Sequence, residues 1–116
     1  MVVNEVSLPE LVEEARRLST LIDRGIAALR DSARAAAQAE HDYRHAKAEA
    51  WQIVGEGLAD EKRARVDAMT AELRMTRDIA EGERQAALEA IRSRRSQLSA
   101  LQSILAATRS EIELAR

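Results

Sequence analysis

The sequence predicts an all-α fold, a long antiparallel two-helix hairpin of the coiled-coil type that dimerises into a four-helix bundle. Small and apolar residues recur at alternating spacings of three and four in two long segments, which Gly55 and Gly57 separate. A period near 3.5 keeps one face of a helix against a partner over its whole length. Aromatic residues make up 2% of the chain and charged residues 33%, a composition typical of long helices. The 116 residues therefore predict one helical-hairpin domain, 1–116.

The first helix is expected over about residues 8–54. Ser7 and Glu10 form the Ser-x-x-Glu pattern of a capping box, and Val6 and Leu11 are spaced for a hydrophobic staple across that cap. Gly55 can take the positive φ that ends many helices. The predicted seam residues of this helix are Leu8, Leu11, Ala15, Leu18, Ile22, Gly25, Leu29, Ser32, Ala36, Ala39, Tyr43, Ala46, Ala50 and Ile53.

A turn over about residues 55–59 should lead into a second helix over about 60–114. So short a turn forces antiparallel packing, with facing residue numbers that sum to about 112. The spacing between Ala87 and Ile91 predicts a local change of register, a stutter in the heptad pattern. The predicted seam residues of this helix are Val66, Met69, Leu73, Thr76, Ala80, Ala87, Ile91, Leu98, Leu101, Leu105 and Ile112.

The half of the hairpin nearer the termini carries more apolar residues than one seam can bury. Leu21, Ile26, Ile104 and Leu114 fall outside the seam positions. A wide exposed apolar stripe marks an interface. We therefore expect these four residues to contact a second copy of the chain, giving a homodimer or a higher oligomer.

Several classes of function are disfavoured by the residues present. The chain has no Cys, which excludes disulfides and thiol catalysis. No Ser/His/Asp arrangement, phosphate-binding loop or pair of buried carboxylates stands out, so we expect no enzyme, no catalytic residues and no cofactor. His41 and His45 have a spacing that can hold a metal, but they fall on the outer face of the heptad pattern and are interpreted as solvated, with no metal site. No secretory signal and no membrane-spanning stretch is evident, so we expect no membrane partner.

A basic band is the feature that points most directly to a chemical ligand. Its arginines fall at one level of the predicted hairpin and could neutralise phosphates, which makes nucleic acid a possible partner. The competing interpretation is a solvated helix surface whose arginine stems cover apolar neighbours. The candidate nucleic-acid-binding residues are Arg16, Arg17, Arg92, Arg94 and Arg95.

Tyr43 and Trp51 lie near the predicted turn, in a chain that has one Tyr and one Trp. Large aromatic residues often anchor protein partners, so both residues are candidates for partner docking. The alternative is that Trp51 caps the end of the seam between the helices.

Three segments resemble small helical proteins of actinobacterial phages and prophages. They are Tyr43–Trp51, Arg77–Glu81 and Ala87–Gln102, and the resemblance covers roughly residues 40–116. It implies a phage origin, a place in the cytoplasm of the host cell, and a role in DNA metabolism or in particle assembly. It brings no activity and no catalytic residues.

The leading functional prediction is a non-enzymatic, phage-encoded coiled-coil protein that acts as a protein–protein interaction or adaptor protein. Its partners would be itself and an unidentified phage or host protein. One alternative is a nucleic-acid-binding accessory factor of phage DNA metabolism that uses the basic band. The other is a virion or assembly component.

Overall fold

A computed structural model describes residues 7–115, and in this range the chain forms two α-helices and no strand. Helix α1 spans Leu8–Ile53, and helix α2 spans Ala59–Leu114. The all-α two-helix hairpin is thus confirmed, and each helix end lies within one residue of its predicted position. The four-helix bundle stays a prediction.

The start of α1 follows the capping signal in the sequence. The Ser7 Oγ accepts a hydrogen bond from the Glu10 backbone N–H at 3.3 Å, and the Leu11 N–H donates to the Ser7 carbonyl at 3.0 Å. The first of these bonds satisfies a donor that the first turn of a helix otherwise leaves unpaired, and the second is the first backbone bond of the helix. The predicted staple involves Val6, which lies outside the described residues.

Arg65 holds the turn between the helices. Gly55 and Gly57 have φ values of 81° and 152°, which side chains rarely allow. The Arg65 guanidinium donates to the Val54 carbonyl at 3.0 Å and to the Glu56 carbonyl at 3.4 Å. A Cβ at Gly57 would lie 2.6 Å from an Arg65 nitrogen. The glycine therefore leaves the space in which the arginine satisfies the carbonyls of the turn.

The contacts between α1 and α2 form two compact units. The terminal unit contains the described residues up to Ala28 together with those from Leu88 onward, and the turn unit is Leu29–Ala87. A leucine cluster is the core of the terminal unit, and small residues form the core of the turn unit. The terminal cluster consists of Leu11, Leu18, Leu101 and Leu105, and the turn-unit cluster of Ala36, Ala39 and Ala80.

Gly25 brings the helix backbones close together in the terminal unit. A Cβ at this position would lie 3.0 Å from the Cγ1 of Ile91, which is itself buried. That separation is below ordinary van der Waals contact, so a side chain at Gly25 would have to displace Ile91. Leu98, in α2 of the same unit, is half-buried.

The seam prediction for α1 is confirmed at all but one of its positions. Ile53, the last residue of the helix, is exposed, whereas the others are buried or half-buried. The heptad pattern of α1 consists almost entirely of small and apolar residues, so a search for such residues finds its seam.

The seam prediction for α2 is wrong at Met69, Leu73, Thr76 and Ile112, which are exposed. Polar residues take the inward positions instead, because an arginine can pack its aliphatic stem in a seam and keep its guanidinium at the surface. From Arg77 onward the inward positions alternate by three and four without interruption, so the predicted change of register after Ala87 is also wrong. The buried and half-buried series is Val66, Thr70, Arg77, Ala80, Arg84, Ala87, Ile91, Arg94, Leu98, Leu101, Leu105 and Thr108.

The predicted pairing of residues across the seam is shifted by about one helical turn. In the terminal unit Gly25 faces Ile91, and in the turn unit Glu40 faces Arg77, pairs whose numbers sum to 116 and 117 rather than 112. The sum of 112 assumes that the hairpin is symmetric about the middle of the turn. The first turn of α2, however, contributes no buried residue to the seam, so α1 residues face α2 residues with higher numbers than predicted. The first buried residue of α2 is Val66.

Two neighbouring substitutions in α2 test this register. Val66 is 0% exposed and Met69 is 50% exposed. Val66→Ala should lower the free energy of unfolding by about 1.5–3 kcal/mol through lost burial and a cavity, whereas Met69→Ala should change it by less than about 0.5 kcal/mol. Urea unfolding followed by circular dichroism measures both. A larger loss from Met69→Ala than from Val66→Ala would restore the original register.

Candidate interaction surfaces

Tyr43 is part of the seam of the turn unit. Its side chain is 7% exposed, and the guanidinium carbon of Arg77 lies 4.4 Å from the centre of its ring. Arg77 also lies 3.6 Å from a Glu40 oxygen on α1, and it hydrogen-bonds Asp78, which raises the pKa of Arg77. The expectation that Tyr43 is an exposed docking residue is therefore wrong, since Arg77 covers its ring.

Trp51 remains accessible near the end of α1. Its side chain is 41% exposed, and Ile53 and Leu58, on either side of the turn, are exposed as well. A role for Trp51 in partner docking stays a prediction. The residue also provides a single fluorescent reporter for this end of the turn unit.

An open groove of about 430 Å³ lies along the turn unit, with charged side chains as its walls. Within it the Arg84 guanidinium donates to Glu81 at 2.6 Å, which lowers the pKa of the Glu81 carboxyl and raises that of Arg84. The Arg44 Nε donates to Glu40 at 2.7 Å. Opposite charges thus neutralise each other along the groove. Its lining residues are Ala33, Ala36, Ala37, Glu40, Arg44, Arg77, Glu81 and Arg84.

Two of the predicted band arginines on α1 are engaged with carboxylates. The Arg17 Nε donates to Glu14 at 2.9 Å, which lowers the pKa of Glu14 and raises that of Arg17. Arg16 lies 3.9 Å from a Glu13 oxygen. These exposed pairs contribute little to stability, but each carboxylate offsets the positive charge that its arginine would present to a phosphate.

The band arginines on α2 differ in their surroundings. Arg92 donates to Glu89 at 2.9 Å. Arg94 occupies a seam position, where its guanidinium reaches the Leu21 carbonyl across the helices at 3.5 Å. Arg95 is exposed. The sequence signal therefore overstated the positive surface, because it counted an arginine of the seam and others that neighbouring glutamates neutralise.

Three of the five band arginines line open grooves of the terminal unit. Arg17 and Arg94 line one groove of about 310 Å³. Arg16 lines another of about 620 Å³, together with Arg109, which was not among the predicted site residues. Arg16 and Arg17 also line a common groove of about 290 Å³, whereas Arg92 and Arg95 line none of these three grooves.

The predicted oligomer interface does not form a single face. Leu21 and Ile26 are half-buried, whereas Ile104 and Leu114 are exposed. Leu21 lines the groove that contains Arg17, while Ile26 lies two heptads after Val12, which lines the groove of Arg16. Leu21 and Ile26 thus lie on opposite sides of α1, so one partner helix cannot cover both.

A second stripe, which the sequence reasoning missed, runs along the outside of α2. In the turn unit it lies two positions beyond the seam residues, and its large members Met75 and Ile79 are 60% and 54% exposed. A Cβ at Gly82 would meet no atom within 4 Å. The signal was present as a second heptad series, offset by two from the seam. We name it the α2 outer stripe, and its residues are Ala68, Glu72, Met75, Ile79, Gly82 and Ala86, all exposed.

The corresponding outer face of α1 is polar. His41 and His45 stack there with ring centres 6.3 Å apart, and the His45 Nδ1 lies 3.7 Å from Glu49. Arg34 and Gln38 continue the same face, and all of these side chains are exposed. The two helices therefore differ, because only α2 exposes a row of small and apolar residues opposite its seam.

Within residues 7–115, no group of three or more His, Asp and Glu side chains is arranged to hold a metal ion. In the same range, neither helix has a stretch long and apolar enough to cross a membrane. No match to this chain is found among protein families, curated proteins or solved structures.

The Glu81–Arg84 pair gives the protein a predicted sensitivity to acid. Because the folded-state pKa of Glu81 lies below its ordinary value of 4.5, the pair adds stability above that value, and this stability is lost as the pH falls through the lowered pKa. Unfolding free energies measured at about pH 7 and about pH 3 should thus fall less in Glu81→Gln than in the wild type. Arg84→Gln and the double variant should resemble Glu81→Gln. Equal acid sensitivity in all four proteins would contradict the pairing.

Proposed function

We propose that this chain is a non-enzymatic helical interaction protein that acts as an adaptor and binds a protein partner through the α2 outer stripe. The proposal includes the phage origin and the host-cell cytoplasm that the resemblance to phage proteins implies. The observation that carries it is the exposure of every residue in the α2 outer stripe, while the outer face of α1 is polar.

A two-helix hairpin needs only one apolar face on each helix. The seam of α2 provides that face, so Met75 and Ile79, which are more than half exposed, are available to a partner. Exposed apolar rows on a helix mark surfaces that bind another protein. The unbranched side chain of Met75 can adapt to a partner, and Gly82 and Ala86 let a partner helix approach closely.

The ionisable groups support a non-enzymatic role. Those with a shifted pKa, such as Glu14 and Glu81, are paired with an arginine one helical turn away. Catalytic acids and bases are typically perturbed by burial in an enclosed cleft, whereas the grooves of both units are open and shallow. Surface ion pairs explain these shifts without any catalytic role.

A photo-crosslinking residue at Ile79 tests the proposal against a matched control at Ala48, an exposed residue on the outer face of α1. Each variant would be produced in cells of the natural host, irradiated, and analysed by mass spectrometry. We expect one defined protein adduct at position 79, which excess unmodified protein suppresses, and none at position 48. Equal labelling at the two positions, or labelling at 48 alone, would refute the proposal.

The nucleic-acid alternative keeps one favourable observation. Arg16 and Arg109 line the same groove of about 620 Å³, and Arg95 is exposed. Since Arg16 lies near Glu13, and Arg17, Arg92 and Arg94 are engaged as well, a phosphate at these four arginines would have to compete with groups of the protein itself.

Fluorescence anisotropy with single- and double-stranded oligonucleotides decides between the two functions. We expect no binding even at about 50 mM salt, where non-specific electrostatic binding is strong. If binding occurs with a steep salt dependence, the triple variant Arg92→Gln, Arg94→Gln, Arg95→Gln should reduce the slope by up to about 3 if all three arginines contact phosphates. The double variant Arg16→Gln, Arg109→Gln is the control for the other groove. Such a result would favour the accessory factor of DNA metabolism.

A further inference from the structure

The α2 outer stripe has an ordered distribution of side-chain size. Met75 and Ile79, one helical turn apart, are large and more than half exposed. Gly82 and Ala86, also one turn apart, follow them in the sequence and are exposed too. The space above Gly82 is open, because a Cβ there would meet no atom within 4 Å. A pair of projections is therefore followed by a pair of shallow sites with the same spacing.

When the stripe is paired with a reversed copy of itself, its large side chains lie opposite its small ones. In a two-fold interface, residue i of one copy contacts residue j of the other, and j contacts i. Antiparallel pairing of two α2 helices gives facing numbers with a constant sum. Met75 opposite Ala86 and Ile79 opposite Gly82 both sum to 161, so a single axis between residues 80 and 81 places both large side chains on small ones. A parallel pairing would place Met75 on Met75 and Gly82 on Gly82, which leaves a gap beside each projection.

The charges beside the stripe are compatible with the same register. The residues on the two edges of the stripe lie side by side in an antiparallel pair. On one edge Asp78 would lie next to Gln85 of the second copy, and on the other edge Thr76 next to Glu83. No two carboxylates face each other among these pairs. One turn further out, Glu72 falls opposite Glu89 of the second copy, where Arg92 donates to Glu89 at 2.9 Å and offsets the second negative charge. Asp78 is in addition held by Arg77 of its own chain at 2.8 Å, so its charge is partly neutralised before the copies meet.

We propose that a second copy of this chain occupies the α2 outer stripe, packed antiparallel so that Met75 and Ile79 lie on Ala86 and Gly82 of the other copy. The inference rests on the proposed function, since it names the partner of the same stripe. The central contact covers about 12 residues, or about 18 Å of helix. So short a contact predicts a dimer that dissociates in the micromolar range, around 1–100 μM.

Disulfide pairing tests the register directly, because the chain has no cysteine of its own. Met75→Cys and Ala86→Cys are prepared separately, then mixed and oxidised under mild conditions. We expect a disulfide-linked heterodimer in the mixture and little product from either variant alone. In the antiparallel register, equivalent positions lie about 16 Å apart along the axis, beyond the reach of a disulfide of about 7 Å between Cα atoms. Ala48→Cys mixed with Met75→Cys is the control and should give no such product.

A substitution that fills the small site at Gly82 allows a second, independent measurement. Gly82→Leu replaces a glycine with a better helix former, so the hairpin itself should melt at an equal or higher temperature when dilute. The same side chain occupies the site of Ile79 from the other copy and should weaken self-association by at least about tenfold in sedimentation equilibrium. Unchanged association in Gly82→Leu would overturn the proposal.

The remaining outcomes separate this inference from the proposed function. A disulfide dimer from Met75→Cys alone would replace the antiparallel register with a parallel one. A monomer at about 1 mM, about tenfold above the upper end of the expected dissociation range, with no disulfide in any mixture, would exclude the second copy. If the photo-crosslink at Ile79 still gave a defined adduct with another protein, the interaction function would stand with a different partner.

Discussion

The close approach of two helix backbones is the constraint on which this structure depends. In the terminal unit Gly25 lies against Ile91, and in the turn unit Ala36, Ala39 and Ala80 form the core. Small side chains gain little from burial individually, at roughly 25 cal/mol per Å² of apolar surface. They stabilise the hairpin because the contact is repeated over many turns and because close backbones add dispersion contacts. A larger side chain at such a position would separate the helices and weaken the contacts of its neighbours as well.

The same constraint explains the arginines of the α2 seam. A narrow seam has no room for a second large apolar residue at each level, but a long flexible stem can lie across it. Arg77 covers the Tyr43 ring and reaches Glu40, and Arg94 reaches the Leu21 carbonyl. Each guanidinium remains near solvent, so its charge stays hydrated and no buried ion is created. The arginines therefore serve as side chains that join the two helices, which reduces what they can offer to a ligand.

How far the sequence predicts this structure depends on which residues occupy the seam. The α1 series from Leu8 to Ala50 is composed of small and apolar residues, and the heptad pattern identifies it residue by residue. In α2, Thr70 and the arginines interrupt the pattern of small and apolar residues. A heptad pattern based on such residues therefore selects Met69 and Thr76, which lie on neighbouring faces of the helix. Helix ends were predicted well, because capping residues and glycines act locally. The pairing across the seam was not, because it depends on contacts between residues distant in sequence.

Surface features are harder to predict from the sequence for a related physical reason. Counting arginines identifies positive charge but not its neutralisation, which depends on carboxylates one turn away and on which face each guanidinium occupies. Counting leftover apolar residues likewise does not show whether they share a face, and Leu21 and Ile26 do not. A feature that persists along one side of one helix is more informative, since its members must meet the same partner. The α2 outer stripe has that property, and its ordered sizes from Met75 to Ala86 limit the partner to a surface with the reverse order, which a second α2 helix provides.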